Sequence, residues 1–236
     1  MGKAQALRAS LTRATNAVLA VTLAPQCVAC ARVLNEPLAG PVCATCWDNV
    51  RLLQHRYLVA GDALDGGRAV GDYDAELRDI IHALKYEGRR TLARSLADLM
   101  RIAGADVLQD VHSVVPVPLH PWKRAKRGFN QAAELARYLR APVVHALFRW
   151  RATTPQTGLN ADERKRNVRE AFSLTPFMSR HQLDDELVDR VIVLVDDVLT
   201  TGATMNECAR VLKKHGAKNV YSLTVARAVP PGAGRT

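Results

Sequence analysis

A chain of 236 residues has room for one good-sized domain plus a small appendage, and 48% hydrophobic residues suffice for a buried core, which excludes a disordered chain. Lys and Arg number 33 against 23 Asp and Glu, a net charge of +10, which favours polyanionic partners: nucleotides, diphosphates, nucleic acid or an acidic membrane surface. No run approaches the roughly 18 apolar residues of a membrane span.

The first expected element is a helix over residues 3–23. Lys3, Arg8 and Arg13 ahead of an apolar run at 17–24 have the outline of a signal peptide. Yet Leu7, Leu11, Ala14, Val18 and Val21 step by four and three, which is amphipathic helical spacing. Pro25-Gln26 before Cys27 forms neither a small-residue cleavage site nor a lipoprotein one. The reading is a short docking helix on a cytoplasmic protein whose cysteines are reduced.

Cys27-x-x-Cys30 and Cys43-x-x-Cys46 come next, two chelating hooks separated by twelve residues. Four thiolates from paired hooks make a closed tetrahedral zinc site, and so small a segment needs a staple because it cannot bury enough core. Two disulfides are the alternative, and they belong to an oxidising compartment. No open ligand position or catalytic pair is evident beside the hooks, so the zinc is expected to be structural.

A stretch rich in Gly and Asp at 61–71 reads as a loop and a boundary. Helical patterns follow near 74–86, with the apolar stripe Leu77, Ile80, Ile81 and Leu84, and near 90–103. From about 111 the texture alternates: a strand at 114–117, a helix at 129–140, a strand at 143–148, and a buried strand at 191–195. A helix at 204–215 closed by Gly216 and a last strand at 220–226 complete it. This rhythm implies a parallel sheet with crossover helices, whose ligands bind at the carboxyl ends of the strands. The expected organisation is an N-terminal helix (1–25), the four-cysteine unit (26–49), connecting helices that hood the core (50–108), a core domain (109–228) and a tail (229–236).

The strongest signal is the run Val191-Ile-Val-Leu-Val-Asp196-Asp197-Val-Leu-Thr200-Thr201-Gly202-Ala203-Thr204. A helix N-terminus offers N–H groups and a positive dipole end to a phosphate. Gly202 allows close backbone approach, and the threonine hydroxyls add donors. Two acids at a strand end can accept hydrogen bonds from both hydroxyls of a ribose, and a sugar standing between acids and phosphate relieves the repulsion between them. A surface turn is expected there. Asp197 or Thr200 acting only as a helix cap is the plainer alternative, but two acids, three threonines and a glycine go beyond it.

This run is similar to the signature of the type I phosphoribosyltransferases. The resemblance implies that Asp196 and Asp197 hold the ribose, and that Thr200, Thr201, Gly202, Ala203 and Thr204 hold the 5′-phosphate. It also implies an α/β fold, a central parallel sheet flanked by helices, here with a small N-terminal zinc ribbon and a helical connector. Members that use hypoxanthine and guanine carry an Asp where this chain has Thr200. Its absence argues against that substrate and leaves the acceptor open.

In such enzymes the loop after the first core strand takes the diphosphate, which makes Pro118, Lys123, Arg124, Lys126 and Arg127 the candidate ligands. Trp122 and Phe129, interleaved with these cations, keep nucleic acid as a rival partner through base stacking. Residues 154–172 take the place of the flexible catalytic lid, with Gln156, Arg164 and Asn167 as its candidate contacts. Closing over the site, a cationic lid shields an oxocarbenium-like transition state and holds the leaving diphosphate; an ordinary basic helix is the alternative. His120 is a candidate ligand contact, whereas His82, His145 and Cys208 read as structural.

The lid segment, the run Arg127-Gly-Phe-Asn-Gln131, the segment Leu84-Lys-Tyr-Glu-Gly-Arg89 and the four-cysteine unit together resemble the ComF family, from about Cys27 to Arg227. Those are phosphoribosyltransferase-like proteins linked to DNA uptake in competent bacteria. Two functions follow. One is an enzyme that moves a 5-phosphoribosyl group from its diphosphate to an unidentified acceptor, with magnesium bridging diphosphate and ribose, in DNA uptake or nucleotide metabolism. The other is a non-catalytic module that senses phosphoribosyl diphosphate or engages single-stranded DNA or the competence machinery. The cationic lid favours the enzyme.

Overall fold

The computed structural model describes residues 3–53, 63–151 and 170–228. Proline cannot continue a helix, and α1 (Lys3–Leu23) stops just short of Pro25 as expected. The apolar stripe read as a docking face is open: Leu11, Val18 and Val21 are exposed. The buried residue of α1, among those described, is Asn16, whose Oδ1 accepts the Leu38 N–H at 3.0 Å. A polar side chain that reaches a backbone group thus anchors the helix where the apolar pattern predicts hydrophobic packing. α2 (Ala44–Asp48) follows the second hook, and α3 (Ala75–Tyr86) buries Leu77, Ile80, Ile81 and Leu84 as its spacing predicts. These elements belong to one compact unit, Met1–Arg51 with Asp74–Leu92; a second comprises Leu52–Tyr73 with Ala93–Thr236.

The second unit is built on a four-stranded sheet of β1 (Gly66–Asp72), β2 (Ser113–Pro116), β5 (Val191–Leu199) and β6 (Asn219–Arg227). The order is β1-β6-β5-β2 and every pair is parallel. Strands covered on both faces read as continuous apolar runs, and Ile192 through Val195 are fully buried accordingly. A separate antiparallel ribbon pairs β3 (Leu147–Arg149) with β4 (Phe172–Leu174). Its helices are α4 (Leu92–Ala103), α5 (Ala105–Leu108), α6 (Pro121–Arg127), α7 (Gln131–Ala136), α8 (Arg180–Leu187) and α9 (Ala203–Lys214). Met205, Cys208 and Leu212 of α9 pack with Val115, Ile192 and Leu194 of the sheet into one core. No helix among the described residues is long and apolar enough to cross a membrane.

Three expectations are corrected. The loop read at 61–71 contains β1, an edge strand in register with β6 from Gly66↔Tyr221 to Asp72↔Arg227. Its glycines hide it, because its partner rather than its own propensity defines it. The strand read at 143–148 reduces to a single bridge, Val143↔Val114, before the chain leaves the sheet for the ribbon at Leu147. The helix read at 129–140 is only α7, after which Arg140 takes a left-handed φ of 59° ahead of Pro142.

One close contact yields a stability prediction. A Cβ on Gly104, between α4 and α5, would lie 2.6 Å from Leu223 Cδ1 and 3.0 Å from the Met100 carbonyl oxygen. Leu223 is fully buried and cannot swing away. Gly104→Ala should destabilise the protein by about 1–3 kcal/mol, the range for overpacking a dense core, measured by urea unfolding.

Candidate functional site

The junction of β5 and α9 carries the ribose and phosphate candidates. β5 runs past the acids to Leu199, and burial alternates over its last four residues. Asp196 is partly exposed and its Oδ1 accepts the Asp197 N–H at 2.9 Å. Asp197 is only 4% exposed, so it is not on a surface turn as the sequence suggested. Thr200 is exposed, and Thr201, Ala203 and Thr204 are partly so. Gly202 is the N-cap of α9 with a left-handed φ of 75°, and no side chain caps the helix. The capping alternative for Asp197 or Thr200 therefore fails. The N-cap glycine brings no side-chain acceptor to the first turn of α9, a condition that suits a helix N-terminus to an anion.

The cationic segment after β2 is more ordered than a loop. His120 caps α6, its Nδ1 accepting the Trp122 N–H at 3.3 Å. Gly128 ends α6 at a φ of 80°, and its N–H donates to the Arg124 carbonyl. Lys123 and Arg127 are partly buried while Arg124 and Lys126 are exposed; Pro118 lies partly buried where the chain leaves β2. Arg127 donates to Gln131 Oε1 at 2.5 Å. Trp122 is 67% exposed with the Lys126 ammonium 5.8 Å from its ring, but Phe129 is buried and unavailable for stacking.

Two residues not singled out by the sequence reading organise this region. Asn130 caps α7 through Oδ1, which accepts the Ala132 N–H, and its Nδ2 donates to the Val117 carbonyl. It thereby ties together the two ends of the cationic segment. A polar residue ahead of an apolar helical run is the signal that could have found it. Arg149 of β3 is buried, its guanidinium 5.2 Å from the Phe172 ring centroid. Burial lowers its pKa against the opposing pull of Cys208 and Asp196. Lys123 is lowered as well, by burial first and then by the charges of Arg149 and Arg127. Arg149 thus stands within electrostatic reach both of Asp196 at the acid end of β5 and of Lys123 on α6.

The remaining candidates sort simply. Cys208 is a core residue as expected, its thiol pushed well up by burial and then by Asp196. His145 lies outside any strand and is lowered by burial and by Arg124, and His82 is exposed on α3. Gln156, Arg164 and Asn167 lie outside the described residues.

In the first unit the four hook cysteines meet. The Sγ atoms of Cys27, Cys30, Cys43 and Cys46 all lie within 4.8 Å of one another, and none is in a disulfide. Cys30 and Cys43 are 3.8 Å apart. A tetrahedron with Zn–S bonds of about 2.3 Å has an edge of about 3.8 Å, whereas a disulfide needs about 2.05 Å. The four cysteines are positioned to bind a metal ion, and an all-sulfur set of this size fits zinc. Backbone turns shape each hook: the Ala31 N–H donates to Cys27 O, and the Cys46 and Trp47 N–H groups donate to Cys43 O. Arg32 holds the Cys30 thiol down at about 6, while burial pushes the Cys46 thiol up.

Residues 125–232 match the phosphoribosyl transferase domain. The chain is 34% identical over 169 residues to Competence protein F of Haemophilus influenzae, covering 67% of this chain and 71% of that one. Its identity to the DNA utilization protein YhgH of Escherichia coli (strain K12) is 36% over 169 residues, covering 67% and 70%. Among solved structures, orotate phosphoribosyltransferase from Aeropyrum pernix is similar over 78% of this chain and 91% of its own, at 16% identity and a TM-score of 0.36.

Proposed function

Because the chain belongs to the ComF family and carries a phosphoribosyl transferase domain of type I fold, we propose that it binds phosphoribosyl diphosphate at the end of β5 and transfers the phosphoribosyl group to an acceptor. The observation that carries this reading is the junction itself: an acid pair ending β5, then a left-handed glycine opening α9. Asp196 and Asp197 accept the ribose hydroxyls. The turn from Thr200 to Thr204, with the first N–H groups of α9, receives the 5′-phosphate. Lys123, Arg124, Lys126 and Arg127, beyond Pro118, receive the diphosphate, and Arg149 adds a desolvated cation. By the family resemblance, Gln156, Arg164 and Asn167 are the residues proposed to contact the diphosphate.

In the reaction the acceptor lone pair forms a bond to ribose C1′ as the bond from C1′ to the diphosphate oxygen breaks. The electron pair leaves with the diphosphate, where the cations stabilise it. Magnesium, when bound, neutralises part of the diphosphate charge, and the carboxylates of Asp196 and Asp197 are the hard oxygen donors that suit it. The test is incubation with phosphoribosyl diphosphate and magnesium, alone and with pooled nucleobases, following diphosphate release. Base-dependent release supports the transferase. Saturable binding without release makes the pocket a sensor of the metabolite, and no binding removes both.

The exposed Trp122 with Lys126 against its ring favours a second reading, a single-stranded DNA contact on α6. Replacing Lys123, Arg124, Lys126 and Arg127 with Gln should then reduce the slope of log affinity against log salt by roughly 3, at about 0.7 per phosphate contact. Phosphoribosyl diphosphate should compete for the same surface. Unchanged salt-dependent binding in the fourfold variant would place DNA elsewhere.

A further inference from the structure

We propose that Arg32 is a positioning residue of the metal centre, holding Cys30 in place and offsetting the surplus negative charge of a metal bound by four thiolates. The proposal rests on the zinc reading of the four-cysteine cluster. A divalent ion with four thiolates carries two surplus negative charges, and donors outside the ligand set are needed to disperse them. Such donors are present among the described residues. The Arg32 Nε–H donates to Cys30 Sγ at 3.4 Å, and the Cys43 backbone N–H donates to Cys27 Sγ at 3.4 Å. Only the first of these brings a full positive charge.

The backbone delivers Arg32 to that place. Ala31 takes a left-handed φ of 58°, a conformation that residues with a side chain rarely adopt. The turn closes through the Cys27 N–H, which donates to the Arg32 carbonyl at 2.8 Å, and the Ala31 N–H, which donates to Cys27 O at 2.9 Å. A strained residue and two hydrogen bonds therefore turn the chain so that the second side chain after the hook, Arg32, reaches back to its second sulfur. Cys27 and Cys46 are buried, whereas Cys30 and Cys43 are partly exposed. Water, chelators and electrophiles reach the cluster at those two sulfurs, and at Cys30 they meet the guanidinium. A hydrogen bond to a thiolate withdraws electron density from it, so Arg32 both tightens the metal and quiets the sulfur.

The test uses the full chain loaded with zinc, as wild type, Arg32→Ala and Arg32→Lys. In competition with a chelator of known affinity, Arg32→Ala should bind zinc about tenfold more weakly, the lower end of the effect of losing a partner to a metal ligand. Arg32→Lys keeps the charge without the directed donor and should recover part of the loss. With cobalt in place of zinc, the sulfur-to-cobalt charge-transfer band should move to lower energy in Arg32→Ala, because the sulfur lone pairs rise when the hydrogen bond is removed. A side chain that served only the fold would leave the band of the bound metal unmoved. Iodoacetamide should also modify Cys30 faster in the zinc-loaded alanine variant. Equal chelator competition and superimposable cobalt spectra for wild type and Arg32→Ala would overturn the proposal. A wild-type chain that takes up no zinc removes the zinc reading and the proposal with it, so the two failures are told apart.

Discussion

Asp196→Asn weakens binding of phosphoribosyl diphosphate by about tenfold or more and leaves the affinity for inorganic diphosphate unchanged or higher. A charge-assisted hydrogen bond contributes roughly 1.5–3 kcal/mol, and about 1.4 kcal/mol is a factor of ten. The opposite response of the two ligands follows from their chemistry: only the sugar ligand has hydroxyls to donate, while both are repelled by the carboxylate. The oxygen of Asp196 that accepts the Asp197 N–H has a counterpart in Asn, so the local strand geometry persists. Asp197→Asn should weaken sugar binding similarly, but its buried position adds a second effect. A carboxylate replaced there by an amide must find new partners for two N–H groups, so this variant should also lose stability in urea unfolding. Calorimetric titration of both variants with both ligands measures the outcome. If wild type and variants bind the sugar ligand equally, the ribose is held elsewhere and the transferase reading falls.

Cys43→Ser should unfold residues 26–49 while the sheet of the second unit stays folded. Structural zinc supplies roughly 10–16 kcal/mol of apparent folding free energy in small cysteine-rich units. Against that, the buried apolar side chains of this segment are few, Leu34 and Val42 beside the cysteines themselves. Without the fourth thiolate they cannot hold the hooks together. Hydrogen exchange reads the result directly, with protection lost at the Cys27, Ala31, Cys46 and Trp47 amides and kept along β5 and β6. The wild-type chain should carry about one zinc, and metal analysis finding none in freshly prepared folded protein sinks the prediction.

Sequence patterns were most informative where one stretch carries its own cause. The run from Val191 to Thr204 states a buried strand, an acid pair and a turn opening a helix, and β5 and α9 follow it closely. The hooks announce themselves by spacing alone, and the four sulfurs converge. What escaped depends on distant partners. β1 has glycines at Gly66, Gly67 and Gly71 and exists because β6 lies beside it. Arg149 stands at a buried strand position where the pattern expects an apolar residue, and only the tertiary structure shows the Phe172 ring and the charges around it. α8 was legible but unread: Ser179 and Gln182 form a reciprocal capping box at its start.

The pairing of β1 with β6 sets a timetable for the making of this protein. Asp65, at the threshold of β1, exchanges hydrogen bonds with Val220, 155 positions later in the chain. At a synthesis rate of roughly 5–20 residues per second, the ribosome needs about eight to thirty seconds to supply that partner. The two cysteine hooks are finished long before, so their sulfurs can meet while the sheet is still missing its second strand in spatial order. During that interval β1 is an open edge offered to any neighbouring chain. Its glycines, and Arg68 and Asp72 within it, make it a poor template for association, so the features that hid the strand from pattern reading also guard it while it waits.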